Sequence, residues 1–143
     1  MVWRFMSENC IFCKIVRKEA AASIVYEDAQ VVVFMDIRPS NEGHSLVITK
    51  QHYEGIFDTP EELIAYTHKI AKRIAIAAKK ATNADGVSII QQNGRAANQD
   101  IFHLHVHVIP RFEGQKMLRL SELTVADREK LDVVAARIMQ HLN

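Results

Sequence analysis

Between Phe102 and Pro110 the chain reads FHLHVHVIP, and no other stretch constrains the fold so tightly. His103, His105 and His107 alternate there with Leu104, Val106 and Val108. A strand sends successive side chains to opposite faces. The three imidazoles would then line one face, about 6.6–6.8 Å apart, while the aliphatics pack on the other. A helix would turn His105 nearly opposite its two neighbours, and the β-branched valines favour the strand. The segment therefore asks for a sheet with an apolar side and an imidazole side.

The surrounding pattern supplies the rest of such a sheet. Residues 11–19 (IFCKIVRKE) pair Ile11 with Ile15 and Phe12 with Val16 at helical spacing, predicting a short amphipathic helix. SIVYED and QVVVFMD, split at Asp28-Ala29, predict a hairpin. A loop through Pro39 and Gly43 leads into HSLVIT, a buried strand. The clearest helix spans about 60 to 81, with Thr59 expected as N-cap, Pro60 in the first turn and Glu62 closing a capping box. Leu63, Ile70, Ile74, Ala77 and Ala81 form its apolar stripe; Glu61, Glu62 and Lys79, Lys80 suit the helix dipole. Asn83 to Gly86 turn the chain into VSIIQ, a strand. A polar loop from Asn93 to Asp100 precedes the histidine strand, which Pro110 is expected to end. Thr124 and Asp127 are expected to cap a last helix presenting Leu131, Val134, Ala135, Ile138 and Leu142. Successive hairpins with few, unevenly placed helices imply an α+β fold with an antiparallel sheet, not a doubly wound one.

A chain of 143 residues suits one domain, taken here as 9–143 behind a flexible N-terminal tail, 1–8, in which Met6 offers an alternative start. Hydrophobic residues at 48% and charged residues at 24% are globular values and exclude long disorder. A net charge of +1 argues against a nucleic-acid-binding domain but leaves room for a small anionic ligand in a local pocket. No apolar run approaches the roughly 20 residues of a membrane span, and the start is no signal peptide, so a cytoplasmic protein is expected. Cys10 and Cys13 form one C-x-x-C, which is no disulfide framework and points to metal or redox chemistry in a reducing compartment.

Neutral imidazole is a nucleophile near pH 7 and, protonated, a proton donor. One histidine of the row could attack phosphorus while a neighbour orients the phosphate. Two or three could instead ligate zinc. The residues leave both uses open. His68 and His141, on helices away from any cluster, are expected at the surface.

His103-Leu104-His105-Val106-His107-Val108-Ile109 matches the His-h-His-h-His-h-h signature (h, hydrophobic) of the histidine triad (HIT) family of nucleotide hydrolases and transferases. Cys10 to Lys18, Phe34 to Ile37, Gly43 to Ile48 and Asn93-Gly94 also resemble family segments, in the family's order. The likeness covers about residues 8–112. It implies an antiparallel sheet of about five strands with a long central helix, a short N-terminal helix and a C-terminal helix.

The resemblance also implies roles. His105 corresponds to the nucleophile, attacking the α-phosphorus of a nucleotide conjugate, with its other ring nitrogen donating to a backbone carbonyl. His107 and His44 correspond to the further histidines of the phosphate site. Phe12, Ile15, Phe34, Asp36, Ile37 and Leu46 resemble the nucleoside pocket, with Asp36 accepting from ribose hydroxyls. Asn93 and Gln99 resemble residues that bind the phosphates or leaving group. Some members hold structural zinc through positions that here are Cys10, Cys13, His52 and His103; no organic cofactor is implied. Purine nucleotide conjugates yielding AMP or GMP, and a homodimer, are the implied partners, with no nucleic acid or membrane. Two positions depart from the pattern: Asn98 stands where Gly is usual, and Asp100 where the phosphoramidase branch has Ser or Thr. An ionised carboxylate only accepts hydrogen bonds, so that branch's leaving-group preference does not carry over at this position. Two other readings compete with the hydrolase. One is a slow-turnover nucleotide- or zinc-binding regulator; the other is a metal-dependent hydrolase whose histidine row holds a catalytic metal.

Overall fold

The computed structural model describes residues 9–142, and the expected tail, 1–8, lies outside them. Five strands follow the β-branched and aromatic runs: β1 (Ile24–Glu27), β2 (Val31–Met35), β3 (Ser45–Thr49), β4 (Gly86–Ile90) and β5 (His105–Arg111). They form one sheet in the order β1-β2-β3-β5-β4, every neighbouring pair antiparallel. Three helices complete the α+β fold: α1 (Ile11–Val16), α2 (Glu61–Thr82) and α3 (Arg128–Gln140).

The sheet is asymmetric because β2, β3 and β5 are each apolar on one face and differ on the other. Val31, Val33, Met35, Val47, Val106 and Val108 pack against Ile70, Ile74 and Ala77 of α2 and Leu131, Val134 and Ile138 of α3. That side is the main core. The opposite face gathers Phe12 and Ile15 of α1 onto Val32, Phe34, Leu46 and Ile48. In the β3–β5 register His105 lies opposite Ile48 and His107 opposite Leu46, so both histidines emerge beside α1. Asp28 ties the first hairpin to α2: its carboxylate accepts from the backbone N–H of Gln30 and Val31 and from the hydroxyls of Tyr26 and Tyr66.

Several boundaries differ from the sequence expectation, each for a local reason. The first helix stops at Val16 rather than 19, because Lys18 takes a left-handed conformation (φ 65°) and the following N–H groups turn back to Lys14. Thr59 does not cap α2. Its hydroxyl donates to the carbonyl of Gly55 at 2.6 Å, and Pro60 itself occupies the N-cap with no side-chain cap. Thr67, Ala71 and Ala78 join the buried stripe of α2, whereas Ala81 is only half-buried. Pro110 does not end β5, which continues to Arg111. Beyond Val108 the strand has run past the start of β3 and only β4 flanks it, so the proline is tolerated. Of the two expected caps of α3, Asp127 is the N-cap and accepts from the N–H of Glu129; Thr124 plays no such part. Leu142 lies just past that helix and packs on the core.

Gly43 leads the chain into β3 at φ +90°, where a Cβ would sit 2.8 Å from Cγ2 of Thr82 and 2.9 Å from Cγ of Pro110. Gly43→Ala is therefore expected to cost about 1–3 kcal/mol, read as a lowered midpoint in urea denaturation. An unchanged midpoint would contradict the close approach.

Candidate active site and metal centre

His105 is buried, and its ring meets the edges of Phe12 (5.1 Å between centroids) and His107 (5.0 Å). Its Nδ1 lies 2.7 Å from the carbonyl oxygen of His103, which can only accept. Nδ1 therefore carries the proton and Nε2 keeps its lone pair.

A second chain of hydrogen bonds sets the neighbouring histidines. The backbone N–H of Ser40 donates to Nδ1 of buried His44 at 2.9 Å, so the His44 proton sits on Nε2. That N–H faces Nδ1 of His107 at 2.9 Å, which in turn places the His107 proton on Nε2. Burial, followed by the nearby His105, pushes the pKa of His44 down to about 4. Burial first, then His105 and His44, does the same for His107. Both are neutral N–H donors at pH 7. Asp36 completes the corner: Oδ1 accepts from the N–H of Arg38, and Oδ2 lies 3.4 Å from Nε2 of His44 and 4.0 Å from Nδ1 of His107. Burial raises its pKa.

Asp36, His44 and His107 bring three ligand atoms together, but they do not make a good cation site. A metal on Nε2 of His44 would need the lone pair there. The N–H of Ser40 holds the Nδ1 lone pair, so His44 would have to be an imidazolate.

The second cluster has the opposite character. Cys10 is the N-cap of α1 and Cys13 lies in its first turn, so one helical turn aims both sulfurs the same way. Nε2–H of His103 donates to the carbonyl of Thr49 at 2.6 Å. This frees Nδ1, which lies 3.4 Å from Sγ of Cys10 and 3.5 Å from Sγ of Cys13. His52 brings Nδ1 to 3.3 Å from Sγ of Cys13. Two sulfurs at about 2.3 Å and two nitrogens at about 2.0–2.1 Å from a tetrahedral zinc would be about 3.3–3.8 Å apart. The S···N separations of 3.3–3.5 Å fit that figure, and all four ligand atoms lie within 4.8 Å of one another. Burial pushes the His103 pKa down to about 4 and lowers that of His52, keeping both imidazoles neutral as ligation requires. The donor set and its geometry suit structural zinc.

The remaining expected residues divide. Phe12, Ile15, Phe34 and Leu46 come together as an apolar wall, with Phe12 edge-on to Phe34 at 5.4 Å. Ile37 is 46% exposed, and its carbonyl accepts from Ala126. Asn93 accepts from the N–H of Ile56 and from the amide of Gln91. Gln99 is buried: its NH2 donates to the carbonyls of Glu54 and Ile101, and its oxygen accepts from Gly94, so its amide fastens the loop. Asn98 adopts φ 69°, the left-handed conformation that Asn tolerates better than other non-glycine residues. Asp100 accepts from the N–H of Ile101, and its charge acts on Asp36 and His107. His68 and His141 are exposed, as expected. Sequence reasoning missed Ser40 and Thr49. They act through a backbone N–H and a backbone carbonyl, which leave no residue-type signal.

The HIT domain family model matches residues 17–114. The chain belongs to the HIT family. A HIT-like protein of Methanocaldococcus jannaschii is 40% identical over 85% of this chain and 95% of its own length. An adenylylsulfatase of Arabidopsis thaliana is 37% identical over 94% and 68%, respectively. An adenosine 5'-monophosphoramidase of Saccharomyces cerevisiae is 39% identical over 71% and 62%. Among solved structures, a HIT-like protein from Bartonella henselae superposes with a TM-score of 0.88 at 38% identity, covering 95% of this chain and 98% of that one. A zinc-bound histidine triad protein from Mycobacterium smegmatis gives 0.81 at 40%, covering 92% and 94%. The matched span of this HIT protein contains His44, His52 and the triad but begins after Cys10 and Cys13.

Neutral, buried histidines have a consequence for stability. His44 has a folded pKa of about 4 against 6.5, so below pH 6.5 the unfolded chain takes up a proton that the folded one refuses. This contribution is complete above pH 6.5 and is lost as the pH falls towards 4. For His44 alone it amounts to about 3 kcal/mol between pH 7 and pH 4. Urea titrations across that window should show the loss in the native chain and a shallower slope in His44→Asn; equal slopes would contradict it.

Proposed function

We propose that this HIT protein hydrolyses nucleoside 5'-phosphate conjugates at the α-phosphorus through a nucleotidyl-histidine intermediate on His105. The observation that carries the reading is the His105 ring: Nδ1–H is held by the His103 carbonyl, so the Nε2 lone pair is available. Nε2 attacks phosphorus, the bond to the leaving group breaks, and water then cleaves the N–P bond to release a nucleoside monophosphate, AMP or GMP. His107 supplies its Nε2–H to a phosphate oxygen or to the leaving atom, held in that tautomer by His44 and, behind it, Ser40. Phe12, Ile15, Phe34, Leu46 and Ile37 would wall the base, and Asp36 would accept from the ribose hydroxyls. Asn93 would contribute its NH2 to the phosphates, while Gln99 shapes the loop that carries the leaving-group side.

The relatives named as adenylylsulfatase and adenosine 5'-monophosphoramidase support a nucleotide hydrolase, and their two leaving groups bracket the choice for this chain. Transfer of the nucleotidyl group to an acceptor other than water uses the same intermediate. Cys10, Cys13, His52 and His103 would hold zinc, placing the chain with the zinc-containing bacterial type; the zinc-bound Mycobacterium smegmatis structure supports this. When bound, the zinc would staple α1 to His103, two residues ahead of His105, and leave His105 and His107 to the nucleotide. We read the protein as cytoplasmic; among the described residues no helix is long and apolar enough to cross a membrane. β4 is an outer strand with Ile89 45% exposed, the kind of edge through which two copies would join into a homodimer.

His105→Ala should lower turnover of adenylyl sulfate, a dinucleoside polyphosphate or an adenosine phosphoramidate by about 10³-fold or more, with AMP binding retained. Unchanged turnover would refute the assignment, and negligible turnover in the native protein with AMP still bound would favour the regulatory reading. Protein purified without added metal should contain near one zinc per chain by elemental analysis; its absence from Cys-intact, unchelated protein would refute the zinc site.

A further inference from the structure

The metal cluster and the nucleotide site share parts. Phe12 lies between the two cysteines in sequence, and its ring meets those of His103 (5.8 Å), His105 (5.1 Å) and Phe34 (5.4 Å). His103 offers its ring to the cysteine sulfurs and its carbonyl to Nδ1 of His105. Whatever moves the first turn of α1 or the His103 ring therefore moves the base wall and the acceptor that sets the catalytic tautomer.

The two sulfurs are also arranged for oxidation. Cys10 and Cys13 stand three residues apart across the N-terminal turn of α1, a Cα separation of about 5 Å. That lies inside the disulfide range of about 4.4–6.8 Å. Their Sγ atoms are within 4.8 Å of each other, and neither cysteine is in a disulfide. Cys13 is fully buried, whereas Cys10 is half-buried on the wall of an open cavity of about 380 Å³, with Asn9, Ile11, His52 and Glu54 around it. A small oxidant reaches Cys10 first and finds Cys13 behind it.

We propose that Cys10-Cys13 is a peroxide-sensitive modification site that governs nucleotide binding. The proposal rests on the nucleotide and zinc reading of the site. The Cys10 thiolate attacks hydrogen peroxide, breaking the O–O bond to give a sulfenic acid and hydroxide. The Cys13 thiolate then attacks that sulfur, forming the disulfide and expelling a second hydroxide. The thiolates lose two electrons, the peroxide gains two, and zinc, left with two imidazole ligands, departs. The His103 ring and the first turn of α1 lose their common anchor.

The test is a hydrogen peroxide titration of the reduced, zinc-loaded protein. Zinc release is followed with a chromophoric chelator, the thiols by intact mass and AMP affinity by calorimetry. Zinc release and the loss of two hydrogens should rise together, with AMP bound about tenfold or more weakly once the disulfide has formed. Dithiothreitol with zinc should restore binding. His105→Ala should release zinc at the same peroxide concentrations, and Cys10→Ser should form no intramolecular disulfide. Thiols and zinc that persist at peroxide concentrations oxidising free cysteine would overturn the proposal. AMP affinity indifferent to the disulfide would overturn it alone, with the nucleotide reading intact. Failure of the reduced, loaded protein to bind AMP would overturn both.

Discussion

The hydrogen bond from Nδ1 of His105 to the carbonyl of His103, 2.7 Å long, settles which ring nitrogen carries a proton, and much of the surrounding structure serves to keep it. An exposed imidazole exchanges tautomers freely, and much of its population would present Nε2–H rather than a lone pair to an electrophile. Here the acceptor is the backbone of the next-but-one residue, and rotating the ring away would give up that hydrogen bond at a buried position. The carbonyl stays in place because the His103 side chain is itself fastened, by Thr49 on one nitrogen and the cysteine cluster on the other. The geometry of the proposed nucleophile is thus a consequence of how the backbone at His103 is held between α1 and β3.

The same logic runs in the opposite sense at His44. A backbone N–H, from Ser40, holds Nδ1, so His44 shows an N–H to His107 and His107 shows one outwards. One face of the sheet therefore presents a lone pair and a donor side by side. Burial keeps the His44 and His107 rings neutral. Under the proposed function, a chain with a net charge of only +1 would receive a phosphate through donors that are dipoles fixed in place rather than cations. The tautomer of His44 that would serve the proposed phosphate site is also the one that refuses a cation, so the two histidine clusters are chemically sorted by their backbone partners.

Much of this was legible beforehand because it depends on alternation. His103 to Val108 repeat with period two, and a period-two pattern has only one regular backbone that separates its two classes. The hydrophobic runs around it announced the other strands and the long helix for the same reason. Where expectation and structure part, the deciding interaction was made by a neighbour distant in sequence or by the backbone. Thr59 has the chemistry of an N-cap, yet its hydroxyl is taken by Gly55. Gln99 has the chemistry of a phosphate donor, but its NH2 is engaged by carbonyls at Glu54 and Ile101. Pro110 has the chemistry of a strand end, but at this point β5 has already outrun β3.

The sequence by itself determined that His105 and His107 share a sheet face, that Cys10 and Cys13 form one C-x-x-C, and that an apolar face lies opposite the histidines. These are matters of spacing along one chain. His103, expected on the same strand, lies just ahead of β5. Only the tertiary structure decided what each imidazole does. It laid α1 across the sheet so that Cys10 and Cys13 meet His52 and His103, and it brought Ser40, His44 and Asp36 round to His107. The reason is physical: a ring's protonation site is chosen by its hydrogen-bond partners, and those come from backbone groups and from residues far away in the chain. Spacing along one chain cannot encode them.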